Sequence, residues 1–399
     1  MASIEKLKIF QFRQLFALSF IHFVVDMFAG MLPPLLPAIR DYFQVSLKTV
    51  VALLAVFNIV CNAVQIATGH LRASKKRPFF MPLGLVLSGA VCFFALLPAG
   101  RGDSIRVLLP FALVLLAGTG IAITHPEGLR AVYLLRRIPT AESSTIFLMG
   151  GFLGSSTGAW VSTLLVDTWG LKALLVLLLG PLLGIIVMSM VRFRLAVDRA
   201  VHINSKHEKH RLPFWMIMLM ALPGTTATLI IISFLPIRLV NEMGFDLPFG
   251  GFSTMLFGLG AMSGAFLWAR VSRKIPELKT CIFAFLVGIP FYFLYLFTMD
   301  SKIAVASLFV MSFTCTGTFP LIVAMARHAK GANLGQRMGL IVGGCWGFAS
   351  LVLIAFGPVA DKYGVGGILR WVWAGYLASA LVGIYVWYKT AACQKFRAD

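Results

Sequence analysis

Long apolar segments alternate with short polar ones along nearly the whole chain. A helix needs about 20 apolar residues to cross the hydrocarbon core of a bilayer. Twelve segments reach or approach that length, at residues 12–39, 46–69, 78–98, 107–135, 143–166, 171–191, 213–237, 249–269, 278–299, 303–326, 335–358 and 366–388. The pattern predicts an all-α membrane protein with twelve transmembrane helices.

The composition agrees with that prediction. Of 399 residues, 59% are hydrophobic and only 13% are charged, which lies outside the range of soluble globular domains. The six cysteines show no Cys-x-x-Cys spacing, so neither a disulfide framework nor a zinc site is expected. We find no motif for a metal or another cofactor, and no Gly-x-x-x-x-Gly-Lys-Ser/Thr loop for nucleotide hydrolysis.

Basic residues follow the loops with a period of two helices. If both termini are cytoplasmic, 26 of the 35 Lys and Arg fall on the cytoplasmic side and nine on the other. Those nine are Arg40, Lys48, Arg101, Arg106, Lys172, Arg238, Lys302, Lys362 and Arg370. Cytoplasmic loops of membrane proteins retain Lys and Arg in this way. The sequence therefore predicts a multi-pass protein of the cell membrane, the inner membrane in a Gram-negative source, and the net charge of +20 needs no nucleic acid partner.

The longest polar stretch, residues 192–212, divides the chain into two sets of six segments. It predicts an N-terminal bundle at 1–191, a cytoplasmic linker, and a C-terminal bundle at 213–399. Three histidines in the stretch could bind a metal, but a solvated linker at the membrane surface is the favoured interpretation; they are His202, His207 and His210.

The two halves of the chain contain similar motifs at equivalent positions. Asp167-Thr168-Trp169-Gly170 closes the fifth segment, and Asp361-Lys362-Tyr363-Gly364 closes the eleventh, 194 residues later. Pro126 and Pro320 are separated by the same interval, and Leu36-Pro37 matches Leu235-Pro236. Such a parallel repeat of six helices is typical of secondary transporters that work by alternating access.

Ionisable side chains interrupt the first and fourth segments. His22 and Asp26 lie four residues apart, and charged or titratable groups at this depth by default mark an ion or solute path. His22 lies about 6 Å to the cytoplasmic side of the centre of its helix, and His125 lies about 6 Å to the cytoplasmic side of the centre of the fourth. We therefore expect the two histidines to share a depth; a carboxylate beside imidazoles at that depth could exchange protons.

Glu127 has two interpretations. It points away from His125, because two residues advance a helix by about 200°. It could form an ion pair with Arg130, at i and i+3, or it could take part in proton coupling.

Other polar residues are candidates for substrate binding. Asn58, Asn62 and Gln65 share one face of the second segment, where interhelical hydrogen bonding is an equal alternative. Arg130 offers positive charge, and Thr225 and Thr318 offer hydroxyl groups in the second half.

The residues resemble a known family. The repeat of six helices resembles the major facilitator superfamily over the whole chain. Two motifs resemble its fosmidomycin-resistance group, namely Ser19-Phe20-Ile21-His22-Phe23-Val24-Val25-Asp26 with Leu32-Pro33-Pro34-Leu35-Leu36-Pro37, and His125-Pro126-Glu127-Gly128-Leu129-Arg130. The resemblance places helices one, four, seven and ten around a central cavity, where His22, Asp26 and His125 are then expected to meet. It implies a monomeric transporter that exports a small organic compound by proton antiport.

The chain departs from superfamily patterns at three positions. Ala73 replaces an Asp in the loop after the second helix, Val114 replaces an Arg in the fourth, and Ala159 follows Gly158 where antiporters have Gly-Pro. Two alternatives therefore stay open: a proton symporter that imports an organic anion, and a multi-pass membrane enzyme that uses His22, Asp26 and His125 as acid and base. We predict a transporter with no enzymatic activity, whose partners are its substrate, protons and the bilayer.

Overall fold

Helices account for nearly all of the backbone that the structure describes. The computed structural model describes residues 2–72, 74–100, 104–138, 140–195, 212–298, 302–331 and 334–395. Ala73 and the histidines at 202, 207 and 210 lie outside the described residues.

The first half contains helices α1 to α6. Two of them join 3-10 segments, whose hydrogen bonds are tighter than those of an α-helix. In chain order the elements are α1 (Ala2–Phe43), α2 (Leu47–Leu71), α3 (Phe80–Ser88) with a 3-10 segment at Gly89–Leu96, α4 (Ser104–Val132), α5 (Thr140–Trp169), and a 3-10 segment at Leu171–Leu178 that leads into α6 (Leu179–Met190).

The second half contains helices α7 to α15, with several breaks within its spans. The elements are α7 (Phe214–Ile237) with a π-helical turn at Arg238–Glu242, α8 (Leu247–Val271), α9 (Glu277–Phe297), α10 (Lys302–Thr314), a 3-10 turn at Thr316–Thr318, α11 (Phe319–Arg327), α12 (Leu334–Gly339), a π-helical turn at Leu340–Gly344, α13 (Cys345–Tyr363), α14 (Val365–Leu369) and α15 (Trp373–Lys395).

Ten spans among the described residues are long and apolar enough to cross a membrane. The predicted segments 78–98 and 143–166 are helical but are not among the ten. The first corresponds to the shorter apolar helix Phe80–Leu96. The second lies in α5, whose glycine, serine and threonine residues lower its hydropathy. A multi-pass membrane protein is therefore confirmed, whereas the count of twelve stays a prediction.

Contacts group the chain into two compact units. The first contains Met1–His202 and Leu239–Met255, and the second contains Ile203–Arg238 and Leu256–Asp399. The sequence repeat is also visible in the structure. Gly170 follows α5 and Gly364 follows α13, and both glycines have a positive φ, of 72° and 74°. Glycine adopts this conformation without the steric penalty of a Cβ atom.

The backbones of helices α1 and α5 are in close contact. A Cβ atom added to any of four glycines would collide with the backbone of the facing helix: Gly30 with Ser155, Gly150 with Ser19, Gly154 with Phe23, and Gly158 with Met27. Small residues at such positions permit close packing between membrane helices, where no hydrophobic force drives association. This close packing places His22 and Asp26 of α1 next to α5.

Candidate functional site

Three ionisable side chains meet within the first unit. Nε2 of His22 lies 3.1 Å from Oδ2 of Asp26, and Nε2 of His125 lies 3.0 Å from Oδ1 of the same carboxyl group. The two imidazole rings stand edge to face with centroids 4.9 Å apart. The structure thus brings together the three residues that helix depth and the family resemblance together predict to meet, and we call them the triad.

The outer nitrogen of each imidazole bonds a main-chain carbonyl. Nδ1 of His22 lies 2.8 Å from the carbonyl oxygen of Phe147 in α5, and Nδ1 of His125 lies 2.8 Å from that of Ile121 in α4. A carbonyl oxygen only accepts, so each Nδ1 must carry the hydrogen and donate it. These bonds fix the orientation of both rings towards Asp26.

The fixed rings determine where further protons can sit. With hydrogen on both Nδ1 atoms, a neutral imidazole directs the lone pair of Nε2 at a carboxylate oxygen about 3 Å away, which is repulsive unless a proton lies between them. Two such contacts need two bridging protons. Loss of either proton makes one of the two Nε2–Oδ contacts repulsive, so the geometry of the triad depends on its protonation.

Two members of the triad are partly exposed and the third is buried. The Asp26 and His125 side chains are 20% and 22% exposed, while His22 is 7% exposed. His22 is also stacked on the ring of Phe147, with centroids 4.2 Å apart. Asp26 and His125 can therefore exchange protons with water, while His22 is held in the interior.

Gly151 is a part of the site that the sequence reasoning missed. A Cβ atom at this position of α5 would lie 2.5 Å from Cε1 and 2.6 Å from Nε2 of His22, and would also collide with Asp26. Only a glycine leaves room for the His22–Asp26 contact. Residues 150–158 are rich in glycine, but nothing in the sequence connects one of these glycines to the triad.

The triad is also the one group of three His, Cys, Asp or Glu residues, among those described, that could hold a metal ion. Its nitrogen and oxygen atoms lie within 4.8 Å of one another. The donor set and the carbonyl bonds of both Nδ1 atoms fit a transition metal.

Glu127 belongs to a second cluster, near the start of α3. Its side chain is fully buried. Oε1 accepts a 2.9 Å hydrogen bond from Nε of Arg72, and Oε2 accepts bonds of 2.9 and 3.0 Å from the backbone N–H groups of Phe80 and Met81. A carboxylate at a helix N-terminus satisfies free N–H groups and the positive end of the helix dipole. These contacts favour the structural interpretation of Glu127, with Arg72 as its ion-pair partner.

The Glu127–Arg72 pair should be non-additive in a double-mutant cycle. Removing one partner of a buried pair leaves an uncompensated charge and costs about 3–5 kcal/mol. We expect Glu127→Gln or Arg72→Gln alone to lower the melting temperature in detergent strongly, and the double variant to recover much of the loss.

Arg77→Gln serves as the matched control, because Arg77 is an exposed cation in the same loop. It should leave the melting temperature unchanged. Additive losses from the two single variants, with full stability in the control, would contradict the pair and return Glu127 to the candidates for proton coupling.

Arg130 holds the loop that follows α2. Its guanidinium donates hydrogen bonds of 2.7 Å to the carbonyl oxygen of Arg72 and 2.8 Å to that of Lys75. The structure thus places Arg130 in the Glu127 cluster rather than in the triad. Its role in substrate binding stays a prediction.

The polar face of α2 lies in the same unit. Nδ2 of Asn62 donates a 2.7 Å hydrogen bond to the carbonyl oxygen of Asn58. Nδ2 of Asn58 is buried and has no hydrogen-bond partner among the described residues. A buried donor without a partner calls for an explanation, and a bound molecule is one. Gln65 is half-buried on the same helix.

The hydroxyl groups of the second unit are largely bonded to their own helices. Thr318 is fully buried and donates a 2.7 Å hydrogen bond to the carbonyl oxygen of Cys315. Thr225 is 5% exposed on α7. A small cluster that the sequence did not predict forms where the hydroxyl of Thr228 lies 3.0 Å from that of the buried Tyr376.

Comparison with known proteins gives a consistent family match. The family model of the Major Facilitator Superfamily matches residues 18–354. The chain is 23% identical over 357 residues to the fosmidomycin resistance protein of Escherichia coli K12, which covers 86% of each protein.

Solved structures share the fold. A D-xylose–proton symporter aligns with a TM-score of 0.72 at 12% identity, covering 95% of this chain and 97% of the symporter. A bacterial homologue of the human lysosomal transporter Spinster, in an inward-facing and occupied conformation, aligns with a TM-score of 0.68 at 14% identity, covering 95% and 96%. At these identities the likeness establishes the fold alone. The predictions of the superfamily and of a transporter rather than an enzyme are confirmed.

Proposed function

Because the chain belongs to the major facilitator superfamily, we propose that it is a proton-coupled secondary transporter that exports a small organic compound by antiport. The single observation that carries the proposal is the triad, in which Asp26 contacts both His22 and His125. The relative named for fosmidomycin resistance supports export, because export is one way in which a transporter confers resistance.

We propose that His22, Asp26 and His125 form the proton-coupling site. Each bridging proton supports one Nε2–Oδ contact, so gain and loss of protons would switch the side-chain arrangement of α1 against α4. A transporter couples two fluxes when proton occupancy biases one of its conformations over another. Substrate binding is proposed for Arg130 and the α2 residues Asn58, Asn62 and Gln65 and, in the second unit, for Thr225 and Thr318.

We also infer twelve spans in two bundles of six. Although Phe80–Leu96 has only 17 residues, eight of them are in a 3-10 segment. The greater rise of that segment gives a total length of about 30 Å, which matches the hydrocarbon core. The 30 residues of α5 are more than long enough to cross it. An even number of spans and the charge bias of the loops support our proposal that both termini lie in the cytoplasm of a cell-membrane protein.

Proton symport of an organic anion is the second candidate. With two bridging protons the triad carries one negative and two positive groups, and this net positive charge favours an anionic substrate. The direction of proton movement relative to substrate separates symport from antiport.

The direct test is a pH-sensitive dye inside proteoliposomes preloaded with fosmidomycin. Antiport predicts that the lumen acidifies as the compound leaves, since protons enter in exchange. Alkalinisation during exit would show that both leave together, and symport would replace antiport. Exit with no change in luminal pH and no dependence on a pH gradient would refute proton coupling; if fosmidomycin is not carried, the same assay is run with a panel of organic compounds.

Chelation is the control for metal occupancy of the triad. The coupled flux should be unchanged in the presence of EDTA, because protons alone bridge the triad in our proposal. Loss of flux with EDTA and its recovery with added Zn²⁺ would reassign the three side chains as a metal site.

A further inference from the structure

An apolar groove lies on the second unit, between α7 and α13. Its volume is about 890 Å³, within the range of about 300–1,000 Å³ that is usual for ligand sites. Leu222 and Thr226 line one wall, and Phe348 and Phe356 line the other. Nothing in the proposed transport mechanism uses this groove.

The internal repeat explains why the groove exists. The 194-residue interval between Gly170 and Gly364 places Phe348 where α5 has Gly154, and Val352 where it has Gly158. The interval of 199 residues between Leu36-Pro37 and Leu235-Pro236 places Leu222 and Thr226 where α1 has Phe23 and Met27. An added Cβ at Gly344 or Gly347 of the second half meets no backbone atom of α7, so the backbone collisions between α1 and α5 have no counterpart there.

The groove offers its occupant almost no hydrogen bonds. Thr226 is the one hydroxyl-bearing residue deep in the wall, and its hydroxyl already donates a 2.8 Å bond to the carbonyl oxygen of Leu222. The remaining deep lining is aliphatic or aromatic. The part of a bound molecule that contacts this lining must therefore be a hydrocarbon chain. A polar group there would lose its hydration without gaining a hydrogen bond.

One end of the groove is aromatic and basic. Tyr363 and Trp371 line it and are 66% and 71% exposed. Lys362 and Arg370 directly precede them and are also exposed, with the single acidic residue Asp361 beside them. Tyr and Trp are enriched at the level of lipid headgroups. Two cations against one anion at that level attract a negatively charged headgroup.

We propose that this groove binds an anionic phospholipid of the surrounding bilayer, with one acyl chain between α7 and α13 and its phosphate near Lys362 and Arg370. The site is separate from the triad and does not depend on the direction of transport. It gives the second unit a bound lipid where the first unit has direct helix packing.

The test uses the full-length protein and phosphatidylglycerol that carries a photoreactive diazirine near the end of one acyl chain. Irradiation should label the peptide that contains residues 219–230, and an excess of unlabelled phosphatidylglycerol should compete far better than phosphatidylcholine. No labelling of this peptide above that of the other membrane helices, or equal competition by the two lipids, would overturn the proposal.

Two variants fill the groove. Gly367 lines it, and an added Cβ would meet nothing closer than Cβ of Tyr363 at 3.9 Å, so Gly367→Leu adds bulk without a backbone clash. Thr226→Met introduces the side chain that the first half has at the equivalent position. Both should lose the labelling at 219–230. Gly347→Leu is the matched control, because Gly347 lies on α13 with no atom within 4 Å of an added Cβ and does not line the groove.

A charge pair tests recognition of the headgroup. Lys362→Gln with Arg370→Gln should lower the preference for phosphatidylglycerol over phosphatidylcholine by about 10- to 30-fold, as expected for two cations near the membrane surface. Lys172→Gln removes an exposed cation in the first unit and should leave it unchanged. Labelling that persists in both folded filling variants, or an undiminished lipid preference in the charge variant, would refute this site.

Discussion

Replacing Asp26 by asparagine is expected to abolish transport driven by a pH gradient and to leave the fold intact. The side-chain amide keeps the shape of the carboxyl group, so it can accept from one Nε2–H and donate to the other Nε2 in place of the two contacts of 3.1 and 3.0 Å. It cannot gain or lose a proton in the physiological range. We expect the rate of gradient-driven flux to fall by about 10²-fold or more, as for the loss of an acid–base group.

The measurement compares two modes of transport in proteoliposomes. Accumulation against a gradient needs proton coupling, whereas exchange of labelled for unlabelled substrate at equal pH does not. Asp26→Asn should lose the first and can retain the second. Unchanged gradient-driven accumulation in a correctly folded variant would remove Asp26 from the coupling site and with it the central role of the triad.

Gly151→Ala is expected to impair coupling without changing any charge. The new methyl group would displace His22, whose Cε1 lies only 2.5 Å from the ideal Cβ position. The nearest atoms are side-chain atoms of His22 and Asp26, so the helices can stay in place while the triad rearranges. Displacement of a reacting group by about 1 Å can lower a rate by about 10²-fold, and we expect a loss of coupled flux of that order.

Two other glycines provide the controls for Gly151→Ala. At Gly69 the nearest atom to an added Cβ is 4.0 Å away, so Gly69→Ala should be silent. At Gly154 the collision is with the backbone of Phe23, so Gly154→Ala should lower the melting temperature. Gly151→Ala should differ from both controls, because its melting temperature should be unchanged while its proton-coupled flux is lost. Normal coupling would mean that the His22–Asp26 contact is not needed.

The arrangement of the triad was largely accessible from the sequence. Helix geometry converts residue number into depth, so His22 and His125 could be placed at one level before any contact was known. Family resemblance put their helices side by side. The ring orientations were not accessible, because the partner of His22 is the carbonyl oxygen of Phe147, 125 residues away. Every residue carries a main-chain carbonyl, so the residue types in a sequence do not predict which one will accept this hydrogen bond.

Glu127 shows where local reasoning reaches its limit. The spacing of i and i+3 indicated Arg130 as an ion-pair partner, since only neighbours on one helix can be paired from sequence. In the structure its carboxylate bonds Arg72, 55 residues away, and the N–H groups at the start of α3. Competition among several nearby cations is decided by the approach of helices, which spacing does not encode.

The sequence by itself determined the membrane-spanning helices, the superfamily, the internal repeat and the three residues that meet on α1 and α4. These follow from hydropathy, helix period and motif, which are local properties of the chain. Tertiary structure alone decided the contact of Gly151 with the triad, the partner of Glu127 and the groove between α7 and α13. Each of these depends on how closely two helices approach, and that distance is set by side chains far apart in the sequence.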